Sequence, residues 1–237
     1  MPYTTALILL VLALTGGRAA MPLLSPEAQP PHGHLRPRQL GGIGGTTMKE
    51  FTRGGCKEII LVYARGSTEQ GNVGSLGPLL SSGLKSRFRS VAVEGVDYAA
   101  GLATNALPGG ADPAGTREMR RLVILAASRC PRSAVLVGGY SQGAAVTHRA
   151  VESLSAQVMQ HVVAVFMFGD TQYTQDRGRI RGFPPSRTLI ICNTGDAVCS
   201  GSLVIMPAHL MYAQRVNEVV AFLTRRLLQS GFRMPGR

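Results

Sequence analysis

The sequence predicts an α/β protein, a three-layer α/β/α sandwich around a mainly parallel central sheet of about five strands. Two observations carry that prediction. Five short apolar runs are nearly continuous rather than alternating, as in parallel strands buried on both faces. Between them lie stretches whose apolar residues recur at helical spacing, so the order is strand, helix, strand, helix, which calls for right-handed crossovers.

Taken in order, the strands are read in "EIILVYA" (58–64), "SVAVEGV" (90–96), "AVLVGGY" (134–140), "VVAVFMFG" (162–169) and "TLIICN" (188–193). All are rich in β-branched residues. Met119, Leu122, Val123 and Ala126 mark one amphipathic helix, and Val216, Val219, Val220, Leu223 and Leu227 mark another near the carboxyl end. No internal repeat interrupts the series.

The first twenty residues, "MPYTTALILLVLALTGGRAA", hold an apolar run of roughly a dozen residues followed by small ones. A membrane span needs about 20 apolar residues, so this run suits a secretory signal peptide cleaved near Ala19 or Ala20, with a signal anchor as the alternative. Residues 21–39 are rich in proline and lack apolar periodicity, as in a pro-segment or flexible leader. The expected organisation is a signal peptide over 1–20, a leader over 21–39 and one folded domain over 40–237. With 237 residues, 45% of them hydrophobic and 16% charged, the chain can bury one sizeable core and is not of disordered composition.

The formal charge is +12, and little of it resides in the first 39 residues, which hold Arg18, Arg36 and Arg38 against Glu27. The arginines are scattered, in short groups such as "RGRIR" and "TRR", without interleaved aromatics, so nucleic acid is not an expected partner. A solvated basic surface is the main reading, and attraction to an acidic matrix is the other. No second apolar run of membrane length follows, so no stable membrane insertion is expected, and a monomer is expected for want of an association motif.

Four cysteines, Cys56, Cys130, Cys192 and Cys199, suggest two disulfides in a secreted chain, with three possible connectivities. Their spacing does not suit paired zinc-binding motifs, so no metal is expected. A bridge between Cys192 and Cys199 would close a short loop around Asp196.

The sharpest motif is Gly139-Tyr140-Ser141-Gln142-Gly143, a G-x-S-x-G turn between an apolar strand and a helical stretch starting near Ala144. In that context the glycines admit close approach of strand and helix, the turn lifts the Ser141 hydroxyl clear, and the helix amino terminus faces a developing oxyanion. A serine nucleophile needs a base and the base needs an orienting acid, and in α/β-hydrolases, where such elbows occur, the chain order is serine, acid, histidine. His32 and His34 fall in the leader, His148 lies two turns along the helix, and His161 precedes the fourth strand. His209 remains. Asp170 and Asp196 both follow strands, and Asp196 is preferred because it is nearer His209 and lies between Cys192 and Cys199.

The segments "VYARGSTEQGNVGSLGP", "GGYSQGAA", "DRGRI", "CNTGDAVCSGSL" and "PAHLMY" resemble the cutinase family of secreted fungal serine esterases, over about residues 56–212. The resemblance implies a compact α/β-hydrolase catalytic domain over 40–237, without a large lid or any cofactor. Such a domain would act on cutin, a plant polyester, and on soluble short-chain esters. It makes Ser141 the nucleophile, His209 the base and Asp196 the acid, with Ser67 and Gln142 as oxyanion donors and Asn105 steadying Ser67. It also pairs Cys56 with Cys130 and Cys192 with Cys199. Leu102, Leu107, Leu203, Val204 and Ile205 would form an apolar rim that meets a polyester or lipid-like ester at an insoluble surface. The segment 87–91 is shorter than the family pattern, "PAHL" departs from its usual order, and Asp170 has no match in it. The alternatives are an acetylxylan esterase of the same fold, a lid-free lipase, and a secreted binding or eliciting protein without catalysis.

Overall fold

In the computed structural model, which describes residues 45–232, the five apolar runs become five parallel strands. These are β1 (Ile59–Ala64), β2 (Val91–Gly95), β3 (Ala134–Tyr140), β4 (Val162–Phe168) and β5 (Thr188–Ile191), paired in the order β2-β1-β3-β4-β5. The described residues also form α1 (Glu50–Gly54), α2 (Gly77–Lys85), α3 (Pro113–Arg129), α4 (Gln142–Glu152), α5 (Ala156–Met159) and α6 (Val216–Gln229). The expected signal peptide and leader lie outside the described residues.

Period-two alternation divides the strands between two cores. Ile59, Leu61 and Tyr63 of β1 pack with Leu80 and Leu84 of α2 and with Val216, Val219, Val220, Leu223 and Leu227 of α6. Ile60, Val62 and Ala64 face the other way, onto Met119, Leu122, Val123 and Ala126 of α3 and the alanines and valines of α4. Both periodic stripes read in the sequence therefore lie against the sheet. Each buried aliphatic side chain contributes about 1.5–3 kcal/mol, and the continuity of the strand runs reflects burial on both sides. Between β3 and β4 the register shifts at Val135 and Leu136, leaving Val163 as an extra residue in the pairing.

Two disulfides form, Cys56–Cys130 and Cys192–Cys199, and no described cysteine is free. The first joins the segments leading into β1 and β3 across 74 positions, a loop whose closure is worth about 4 kcal/mol on the chain-entropy account. Among the described residues no helix is long and apolar enough to cross a membrane.

Because all strands run parallel, the loops after β1, β3, β4 and β5 emerge together at the carboxyl edge, bringing Ser67, Ser141, Asp170 and Asp196 to one side of the sheet.

Candidate active site

The turn at Ser141 is as tight as its glycines suggest. Ser141 sits at φ 56°, ψ −119°, a left-handed conformation that non-glycine residues avoid at about 1–3 kcal/mol. A Cβ at Gly139 would lie 2.0 Å from the Gly143 carbonyl oxygen, and one at Gly143 would lie 2.1 Å from that of Ala64. The helix begins at Gln142, two residues before the expected start, since the strand passes into it with only Ser141 between.

The structure brings the three predicted residues into one relay. His209 Nε2 is 2.9 Å from Ser141 Oγ, and His209 Nδ1 is 2.8 Å from Asp196 Oδ2. All three are buried. Space for the imidazole comes from Gly169 after β4, where a Cβ would lie 2.7 Å from His209 Cε1. The Tyr140 ring stacks on the imidazole at 5.1 Å between centroids, and its hydroxyl donates to the His209 carbonyl at 2.7 Å.

Asp196 is held from several directions. Its Oδ1 accepts the Val198 amide at 3.0 Å, and its Oδ2 accepts the Tyr212 hydroxyl at 2.6 Å besides His209. The Cys192–Cys199 bridge closes the loop around it. Tyr212, which the sequence reading passed over, also accepts the Asn193 amide at 2.9 Å. Burial, reinforced by the bond to Asp196, raises the Tyr212 phenol above its ordinary value, so it stays a donor through the neutral range. Its position three residues after His209 is the signal that could have found it.

Tyr212→Phe is expected to lower stability by about 1–3 kcal/mol, because it strips the Asn193 amide of its acceptor and a buried carboxylate of a donor. Urea unfolding of the two proteins measures that difference.

Ser67 lies in the loop after β1, and Gln142 is the first residue of α4. Among the described residues neither amide donates to a protein acceptor outside the regular elements; Ser67 lines the cleft, whereas Gln142 is fully buried and stands outside its lining. Ser67 Oγ accepts from Asn105 Nδ2 at 3.0 Å. The Gln142 side chain donates to the Gly101 carbonyl and the Thr104 hydroxyl, both at 2.8 Å. The Ser67 loop is braced by Glu69, whose carboxylate accepts the Gly66 and Ser75 amides at 2.8 and 2.9 Å.

Ser67, Asn105, Ser141 and His209 line a cleft of about 560 Å³ whose walls include Leu102, Leu203, Ile205 and Leu210. Leu102, Leu203, Val204 and Ile205 each keep more than half their surface exposed, and Leu107 is exposed as well. Leu107 and Val204 stand outside the cleft lining, and Leu210, not singled out from sequence, is inside it.

Asp170 turns to a different partner. Its Oδ2 meets His148 Nε2 at 2.8 Å and its Oδ1 accepts the Gln172 amide at 2.9 Å, with Asp170 and His148 both fully buried. His148, Glu152 and Asp176 converge closely enough to hold a cation, but the Arg149 guanidinium already pairs with Asp176 and Glu152.

A family model described as Cutinase matches residues 55–227. Cutinase CUT2 of Pyricularia oryzae is 50% identical over 186 residues, which are 77% of this chain and 87% of that protein. Cutinase 2 of Fusarium vanettenii is 44% identical over 207 residues, 84% of this chain and 88% of its own. Among solved structures, a Trichoderma reesei cutinase in complex with a phosphonate inhibitor superposes with a TM-score of 0.66 at 31% identity, covering 73% of this chain and 77% of that one. An acetylxylan esterase shares the fold, with a TM-score of 0.60 at 20% identity over 73% of this chain and 99% of its own.

Proposed function

This chain belongs to the cutinase family and is a carboxylic ester hydrolase, and from that premise we propose that it is a secreted serine esterase attacking cutin and soluble short-chain esters through Ser141. The observation that carries the reading is the continuous relay from Ser141 Oγ through His209 to Asp196 at the floor of an apolar-walled cleft.

A serine hydroxyl near neutral pH is a weak nucleophile, and His209 Nε2 is placed to take its proton as Oγ attacks the ester carbonyl. Asp196 fixes the tautomer by accepting from Nδ1 and stabilises the imidazolium that forms. Charge then builds on the carbonyl oxygen, where the Ser67 and Gln142 amides and the Ser67 hydroxyl donate to it. Asn105 donates to Ser67 Oγ, which leaves the Ser67 hydroxyl proton free to point at the oxyanion. Preset donors of this kind are worth about 2.7–4 kcal/mol each. His209 returns its proton to the departing alcohol, and the same nitrogen activates the water that releases the acid.

The exposed leucine, valine and isoleucine side chains beside the cleft supply what an insoluble polyester demands, an apolar margin that settles on apolar chains. A sugar polymer offers no such chains, so the margin favours cutin over acetylated xylan. Secretion is supported by the two disulfides, which persist in oxidising compartments.

The test is hydrolysis of p-nitrophenyl esters from acetate to palmitate, followed by cutin and acetylated xylan. The expected result is a maximum near butyrate and release of acids from cutin. Activity confined to acetate and acetylated xylan would replace the polyester with the sugar polymer as substrate.

A further inference from the structure

Parallel strands leave two unlike edges, and the cleft uses only one of them. At the other, the segments that precede the strands converge: Lys57 and Glu58 before β1, Arg89 and Ser90 before β2, and Arg129 to Ser133 before β3. Their backbones interlock, the Ile59 amide donating to the Ser90 carbonyl at 3.0 Å and the Ala134 amide to the Glu58 carbonyl at 2.8 Å. Lys57, Arg129 and Arg132 border a recess of about 500 Å³ with Ser90, Pro131 and Phe232, and Glu58 is the acid in its lining.

Lys57, Arg89, Arg129 and Arg132 are exposed, and none of them makes an ion pair among the described residues. Helix ends explain only part of this. Arg129 closes α3, where a cation complements the helix dipole, but Lys57, Arg89 and Arg132 end no helix. Arg187, at the start of β5, is already occupied by the Phe183 ring and the Val162 carbonyl. Four like charges set against the single carboxylate of Glu58 repel one another, so this edge gains free energy when a partner supplies anions.

We propose that the amino edge of the sheet, at Lys57, Arg89, Arg129 and Arg132, is a docking surface for a linear acidic polysaccharide bearing carboxylates. Guanidinium forks match carboxylates in pairs. Among the described residues this face exposes no aromatic side chain on which a base would stack, since Phe232 is half-buried in the recess. Its exposed large apolar side chains are few, because all but a handful of these flank the cleft at the opposite edge. A hydrated polyanion is therefore the fitting occupant. Bound there, it leaves the cleft facing away from the anchor. This docking is independent of which ester the cleft accepts.

The experiment measures binding of the secreted protein to polygalacturonate beads, with fully methyl-esterified beads as the uncharged control. Two triple variants are compared: Lys57→Glu, Arg129→Glu, Arg132→Glu at the amino edge, and Arg177→Glu, Arg179→Glu, Arg181→Glu elsewhere. Both change the net charge equally. The amino-edge triple is expected to weaken binding roughly tenfold or more and the other by less than roughly threefold, with added salt erasing the difference. Hydrolysis of a soluble ester should be unchanged in both, which reports an intact fold. Should the amino-edge triple lose that activity, the milder pair Lys57→Gln, Arg132→Gln carries the same test with a loss of roughly threefold or more. Equal losses in the two triples would reduce the effect to net charge and overturn the proposal. So would absence of binding by the unaltered protein, or binding to phosphatidylserine vesicles alone.

Discussion

Replacing Ser141 with alanine is expected to lower kcat on p-nitrophenyl butyrate by roughly 10⁵- to 10⁶-fold, the scale seen when a serine hydrolase loses its nucleophile. The fold should not notice. Ser141 Oγ touches His209 and otherwise faces the cleft, and alanine meets the same left-handed backbone as serine does. The thermal midpoint should therefore match that of the unaltered protein while turnover disappears. The two readings together separate a chemical role from a structural one. A variant retaining a tenth of the activity would move the nucleophile elsewhere, whereas one that lost both activity and midpoint would report damage to the elbow.

Gly143→Ala is expected to act in the opposite manner, through the fold. The added methyl would lie 2.1 Å from the Ala64 carbonyl oxygen and 2.6 Å from that of Arg65, and both are backbone atoms at the end of β1. Neither can swing aside as a side chain could, so β1 and α4 must separate or the turn must open. The expected loss is about 3 kcal/mol or more, which for a domain of this size lowers the thermal midpoint by roughly 6–12 °C. Differential scanning calorimetry measures it directly. An unchanged midpoint would mean that strand and helix are not in close contact at this position.

Much of this arrangement was legible in the sequence because it depends on local pattern. The strand runs are continuous because both faces are covered, and the helix stripes recur every three or four residues because one face is covered. The elbow is legible because backbone crowding at Gly139 and Gly143 admits only hydrogen as a side chain. Other features depend on where distant loops land. Nothing local to Asp170 says that its carboxylate will meet His148 while that of Asp196 meets His209. The roles of Tyr140 and Tyr212 around the imidazole likewise arise only when β3 and the 207–212 segment are brought together. Exposure of the rim had the same limit, since a leucine in a loop reads alike whether it packs inward or faces solvent.

The segment 101–105 joins parts of the site that would otherwise be independent. Its Gly101 carbonyl and Thr104 hydroxyl receive the Gln142 side chain, its Asn105 holds Ser67, and its Leu102 forms the cleft wall. One short turn thus acts as a common jig for the two proposed oxyanion donors and the apolar margin. Enlarging the mouth of the cleft by reshaping this turn would misalign both donors together, so the capacity to admit bulkier esters and the capacity to cleave them are geared to the same five residues.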